Sequence, residues 1–189
     1  MAETISGTIP GYLAGTWDLD PVHSEVGFSV RHLMVSKVRG KFTGFTGSFT
    51  TADDPLRSSV EVEIDLGSVD TGNEQRDDHL RSADFFAADA HPKLTFSSTG
   101  VRPQGREWIV DGELSLNGVT RPVQLAVEVN GFGPDPYGGT RSGFSATAEI
   151  SRKDFGIAWN APLETGGVVI GDKVQVAIEV EGVLRPPAA

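Results

Sequence analysis

The 189 residues contain no cysteine. That removes disulfides, thiolate nucleophiles and cysteine-based zinc sites together. Histidine is scarce too. His23, His32, His79 and His91 are scattered, and none forms the HxH or HxxxH pair that starts a site of three or four converging metal ligands. No metal is expected. No apolar run approaches the ~18 residues of a transmembrane helix. The opening MAETISGTIPGYLAGTWDLD has neither a basic segment nor the apolar run of about 7–15 residues that an export signal needs. The expected location is therefore the cytoplasm. A surplus of positive charge is also missing: 16 Lys and Arg face 26 Asp and Glu, for a net charge of −10. Nucleic acid is excluded as a partner, because its phosphates select a basic surface. An anionic membrane surface would repel the chain as well, so stable membrane insertion is not expected. There is no GxSxG elbow, no GxGxxG and no P-loop, and Ser24 beside His23 is mere adjacency.

What is present is alternation with period two. Ser59 to Leu66, Pro122 to Val129 and Lys173 to Val180 alternate polar and apolar residues, as do Glu25 to Arg31 and Ser142 to Ile150. Such a pattern describes strands with one wet and one dry face. The continuous apolar runs of buried parallel sheets are absent, so the sheet should be antiparallel. Strand segments fall near 16–21, 24–33, 36–51, 57–66, 92–101, 106–116, 119–132, 140–150 and 168–184, with the first two readable as one bent strand. Asn117-Gly118 between two alternating runs is a hairpin turn. Asp53-Asp54-Pro55, Gly131-Phe132-Gly133-Pro134 and Tyr137-Gly138-Gly139 read as loops. Phe42 is out of parity with Phe45 and Phe49, which predicts a bulge at Gly44. Helix signals are few: Asn73 to Ala83, with Asn73 as cap and Leu80 as anchor, and one turn at 151–154. The 23 glycines suit a turn-rich all-β protein. About eight antiparallel strands with one or two short helices are best accommodated by a barrel, which leaves no open edge. The domain should span 16–184, with an extension at 1–15 and a flexible tail at 185–189.

A barrel of eight strands is just wide enough to be filled by side chains or to hold one small ligand. The inward parity carries no row of charge, so the interior is apolar. Val26, Phe28, Val30, Phe42, Phe45, Ile64, Phe96, Leu116, Phe144 and Ala146 should line it. The stretch RDDHLRSADFFAADAHPKLTF, residues 76–96, is the densest mixture of charge and aromatics. It admits three readings. Phe85, Phe86 and the short helix could cover one mouth, with Arg76, His79 and Arg152 meeting a polar head group. His79 with Asp77 or Asp84 could instead transfer protons in an enzyme for a hydrophobic substrate. Alternatively, the barrel could be plugged by its own side chains and serve as a binding module of another kind.

Four blocks in order resemble the YceI-like, or polyisoprenoid-binding, family. They are TWDLDPVHSEVGFSVRHLMVSKVRGKFTGFTGSF, SVEVEIDLGSVDTGNEQRDDHLRSADFFAADAHPKLTFSS, GELSLNGVTRPVQLAVEV and ISRKDFGIAWN, and the resemblance as a whole runs from about Trp17 to Val183. The chain departs from the pattern at Ala87-Ala88, where many members carry an acid. It also departs in having no recognisable leader, where many members are exported. The resemblance implies a lipocalin-like barrel that holds a polyisoprenoid lipid or isoprenoid quinone, with no other cofactor and no catalysis. An exposed edge or hairpin would leave room for a homodimer. Burying a forty-carbon chain nominally yields on the order of 30 kcal/mol at ~0.8 kcal/mol per CH₂. Real complexes saturate near ~18–21 kcal/mol, so loading and release, more than affinity, would limit such a carrier.

Overall fold

The computed structural model describes residues 9–187. Its strands are β1 (Gly15–Leu19), β2 (Glu25–His32), β3 (Ser36–Phe42), β4 (Phe45–Thr51), β5 (Ser59–Asp65), β6 (Val69–Asp70), β7 (Lys93–Gln104), β8 (Glu107–Leu116), β9 (Val119–Pro134), β10 (Thr140–Ser151) and β11 (Ile170–Leu184). All neighbours run antiparallel, and pairing of β1 with β11 closes the sheet on itself. The eleven strands make eight staves. β1 and β2 both lie along β11, at its two ends. β4 and β3 lie along them in turn. β5 and β6 form the next broken stave. The expectation of about eight antiparallel strands in a closed barrel therefore holds, and the first two segments are one stave interrupted by a turn.

The reading of 36–51 as one bulged strand is corrected. It is two strands meeting at a corner, and Gly44 does not have positive φ. Ser68 stitches the corner: its carbonyl accepts from Thr43 N–H at 3.2 Å, and its hydroxyl accepts from Gly44 N–H at 2.9 Å. The corner resets parity, so Phe42 and Phe45 are both buried. The segment 131–134 is also corrected. It extends β9, with the register shift of a bulge beside Asn130, and brings Phe132 edge-on against Trp17 instead of forming a loop.

The Asn117-Gly118 turn is as the sequence indicates, with both residues at positive φ (53° and 72°) between β8 and β9. Helix α1 (Glu74–Arg81) bridges β6 and β7, and the Asn73 side chain caps it by accepting from Arg76 N–H. The single turn expected at 151–154 forms as a 3-10 turn over Arg152–Phe155. Of the expected extension, Tyr12 packs on the barrel, its hydroxyl donating to Ala52 O at 2.6 Å. Of the expected tail, Arg185 is fastened by a forked pair to Asp18, while residues 188–189 lie outside the described range, as do residues 1–8.

Buried side chains concentrate at the α1 end, where Leu66, Val69, Phe85, Phe155 and Ile157 pack together. Near the opposite end Trp17, fully buried, stacks on Phe49 and meets Phe132 edge-on. Its indole N–H donates to Thr51 Oγ1 at 2.8 Å, which satisfies a donor that burial would otherwise leave costly.

Candidate ligand-binding tunnel

Between these ends the barrel is hollow, with a cavity of about 530 Å³. The ladder registers explain why its wall is apolar. Phe42 faces Val26, which faces Ile178, which faces Ala146. Another row runs Phe45, Ile64, Leu94. A third runs Val62, Phe96, Leu114. Each row places same-parity residues side by side, and a slip of one residue would turn the whole row outward. All twelve apolar positions singled out from the sequence border the cavity: Val26, Phe28, Val30, Phe42, Phe45, Ile64, Phe85, Phe86, Phe96, Leu116, Phe144 and Ala146. So do Arg76, His79 and Arg152.

The polar end is built by α1 and the turns beside it. Arg76 is held by Thr71, donating from Nε to Oγ1 at 2.7 Å and from Nη2 to the carbonyl at 2.9 Å. Thr71 is held in turn by the buried Asp77 carboxylate, which accepts from its N–H and hydroxyl. Asp77 is thus not a partner of His79, and that half of the proton-transfer reading is corrected. Asp84 is the partner: its Oδ2 lies 2.9 Å from His79 Nε2. The His79 ring meets Trp159 and Phe85 edge-to-face, with centroids 4.7 and 5.0 Å away. Phe86 leans the other way, onto Phe42. Both adjacent phenylalanines reach the cavity because they leave an irregular turn, with Ala87 at φ 48°, and not a strand.

Arg152 is 5% exposed, and burial pushes its guanidinium down from the ordinary arginine value while Asp172 pulls the other way. Its donors go to the carbonyls of Gly171 (3.0 Å), Ile157 (3.1 Å) and Trp159 (2.8 Å), leaving the second Nη between Ile170 O at 3.5 Å and Asp172 at 3.6 Å. It fastens the 157–171 loop to the barrel end more than it reaches for a guest.

Phe49 and the inward rows of β9 and β11 border the cavity beyond the twelve expected positions, and so does Trp159, which is expected from the sequence only as a core or rim residue. Parity within β9 and β11 would have found the rows. Nothing in the order of residues around Trp159 announces that it folds back over His79.

A YceI-like domain model matches residues 17–182. The chain belongs to the YceI-like family. Protein YceI of Escherichia coli is 42% identical over 167 residues, covering 88% of this chain and 84% of that one. Among solved structures, BcnA of Burkholderia cenocepacia superposes with a TM-score of 0.76 at 23% identity, over 87% of this chain and 99% of that one. A polyisoprenoid binding domain from Saccharophagus degradans superposes with a TM-score of 0.65 at 19% identity, over 89% of this chain and 98% of that one. At such identities the two structures speak for the fold alone: the YceI-like barrel keeps its shape while its sequence diverges.

Proposed function

We propose that this YceI-like protein is a non-enzymatic carrier or store for a polyisoprenoid lipid or isoprenoid quinone, held with its chain along the barrel axis. The observation that carries this reading is the continuous apolar wall around a cavity of about 530 Å³. That size falls within the ~300–1,000 Å³ typical of ligand sites, and it argues against a barrel plugged by its own side chains. The description of the Saccharophagus degradans neighbour as a polyisoprenoid binding domain supports the same class of ligand. Arg76 and His79 stand where a head group would emerge, and Leu80, Phe85 and Phe86 roof the chain beneath them. Loading then requires the α1 segment to move aside.

The test is extraction of lipid from the purified protein into organic solvent, followed by mass spectrometry and reloading of the emptied protein. A stoichiometric isoprenoid is expected. Protein that emerges empty and takes up no isoprenoid on reloading ends the carrier reading. The His79–Asp84 pair keeps an enzyme acting on a hydrophobic substrate as the second reading. His79→Ala separates them: a carrier retains its lipid, whereas an enzyme relying on His79 loses ~10²–10⁴-fold in turnover.

A further inference from the structure

The turn between β2 and β3 is apolar where exposed hairpin tips are normally polar. Leu33, Met34 and Val35 are 38, 56 and 81% exposed. Leu33 and Met34 have φ values of 51° and 60°, a left-handed conformation for which tight turns favour Asn and Gly. Neither exposure nor backbone geometry accounts for three large apolar residues in this position.

The strands below the tip are basic. Arg31 faces Lys37 across the ladder, and Arg39 and Lys41 follow on the same side of β3. All four are exposed, and among the described residues none lies within salt-bridge distance of an acid. Asp70 sits beside Lys41 in the register, but its carboxylate accepts from Gly72 N–H instead. From Val26 to Ala52 the chain has no Asp or Glu at all, in a protein whose acids outnumber its bases 26 to 16. The tip also adjoins the cavity. Leu33 N–H donates to Val169 O at 2.8 Å, and Val169, Ile170 and His32 all border the hollow.

We propose that the β2–β3 hairpin docks the barrel on an anionic lipid bilayer. Leu33, Met34 and Val35 enter the boundary between head groups and acyl chains, and the four cations meet the lipid phosphates. An apolar edge flanked by Lys and Arg is the composition that binds bilayer interfaces peripherally. The net charge of −10 opposes approach from a distance. Contact is governed by the local surface, because charges more than ~8 Å apart are largely screened at physiological salt. A second copy of the chain fits the tip less well. A two-fold contact would set the cations against themselves, and three side chains fall far short of the ~1,200 Å² that stable interfaces bury. Docking stands on the hairpin alone. Its use for exchanging an isoprenoid between bilayer and barrel rests on the carrier reading.

Co-sedimentation with vesicles tests this, comparing phosphatidylcholine alone with an equal mixture of phosphatidylcholine and phosphatidylglycerol. The full chain should pellet with the mixed vesicles and be released by high salt. K37Q/R39Q should lower partitioning by about 30-fold, at roughly fivefold for each cation near the surface. V35D should abolish binding through the apolar term, yet still take up isoprenoid from detergent as well as the parent does. Binding that both variants retain, or that neutral vesicles match, overturns the proposal. So does a dimer in solution that V35D dissolves, which would assign the tip to a second copy. A protein that docks but never accepts isoprenoid sustains this inference and sinks the carrier reading.

Discussion

At the residue scale, Leu33 and Met34 carry the clearest conflict between local preference and position. Side chains with a Cβ resist the left-handed region, and each such residue stores on the order of 1–3 kcal/mol. Evolution for stability alone would place Asn or Gly there. The double substitution L33N/M34G should therefore stabilise the fold by about 1–3 kcal/mol, seen as a higher urea midpoint with unchanged slope. The same protein should bind anionic vesicles more weakly. A loss of stability instead would show that these side chains pack against the barrel in a way their exposure does not reveal. Gly112 illustrates the opposite pressure. A Cβ there would lie 2.3 Å from the Phe96 ring, so the wall keeps glycine to seat an aromatic that borders the tunnel.

At the element scale, parity made most of the barrel readable. The inward rows on β2, β5 and β10 follow from alternation alone, and the cap at Asn73 placed α1 to within two residues at its C-terminal end. What escaped is the breaking of two staves, into β3 and β4 and into β5 and β6. The slip between Phe42 and Phe45 was visible, but a bulge and a corner leave the same trace in sequence. Only the Ser68 stitch, 24 residues on from Gly44, distinguishes them. Closure of β1 onto β11 is likewise a long-range fact. It is reinforced by a polar knot that joins the β1–β2 turn to β10, β11 and the β9–β10 loop. Arg141 donates to Asp20 and Glu181, both at 2.6 Å, and to Asp135 at 3.2 Å. His23 adds a 2.8 Å bond to Asp20. Asp20, His23 and Glu181 converge as metal ligands might, but the Arg141 guanidinium already bonds to both carboxylates. The bonds from His23 and then Arg141 hold the Asp20 carboxyl well below its usual range. Its contribution is thus fully present above the unfolded carboxylate value of ~3.9 and is lost as pH falls through the lower folded value. Asp20→Asn should reduce stability at pH 7 by about 1 kcal/mol once solvent screening is allowed for. In acid the difference from the parent should close. A gap that stays constant down to pH 2 would mean that the knot is not electrostatic.

For the whole molecule, the decisive property is a hollow that the chain does not fill. Side chains lining an unfilled apolar space forgo the dispersion contacts a packed core would supply, so the empty barrel should be less stable than its size allows. A guest that binds only the folded state restores those contacts and raises stability by RT ln(1 + [L]/Kd), about 2.7 kcal/mol at a hundredfold excess over Kd. For a domain of this length, 1 kcal/mol moves the melting temperature by roughly 2–4 °C. Delipidated protein reloaded with a polyisoprenol should accordingly melt about 5–11 °C higher by circular dichroism. Ala146→Phe provides the control. Ala146 lies in the inward row between Val127 and Ile178, and a phenyl group there occupies space the lipid would take. The variant should keep the melting temperature of the empty protein or exceed it slightly, while its shift on reloading shrinks. Equal shifts in the two proteins would mean that the hydrocarbon binds somewhere other than inside the barrel.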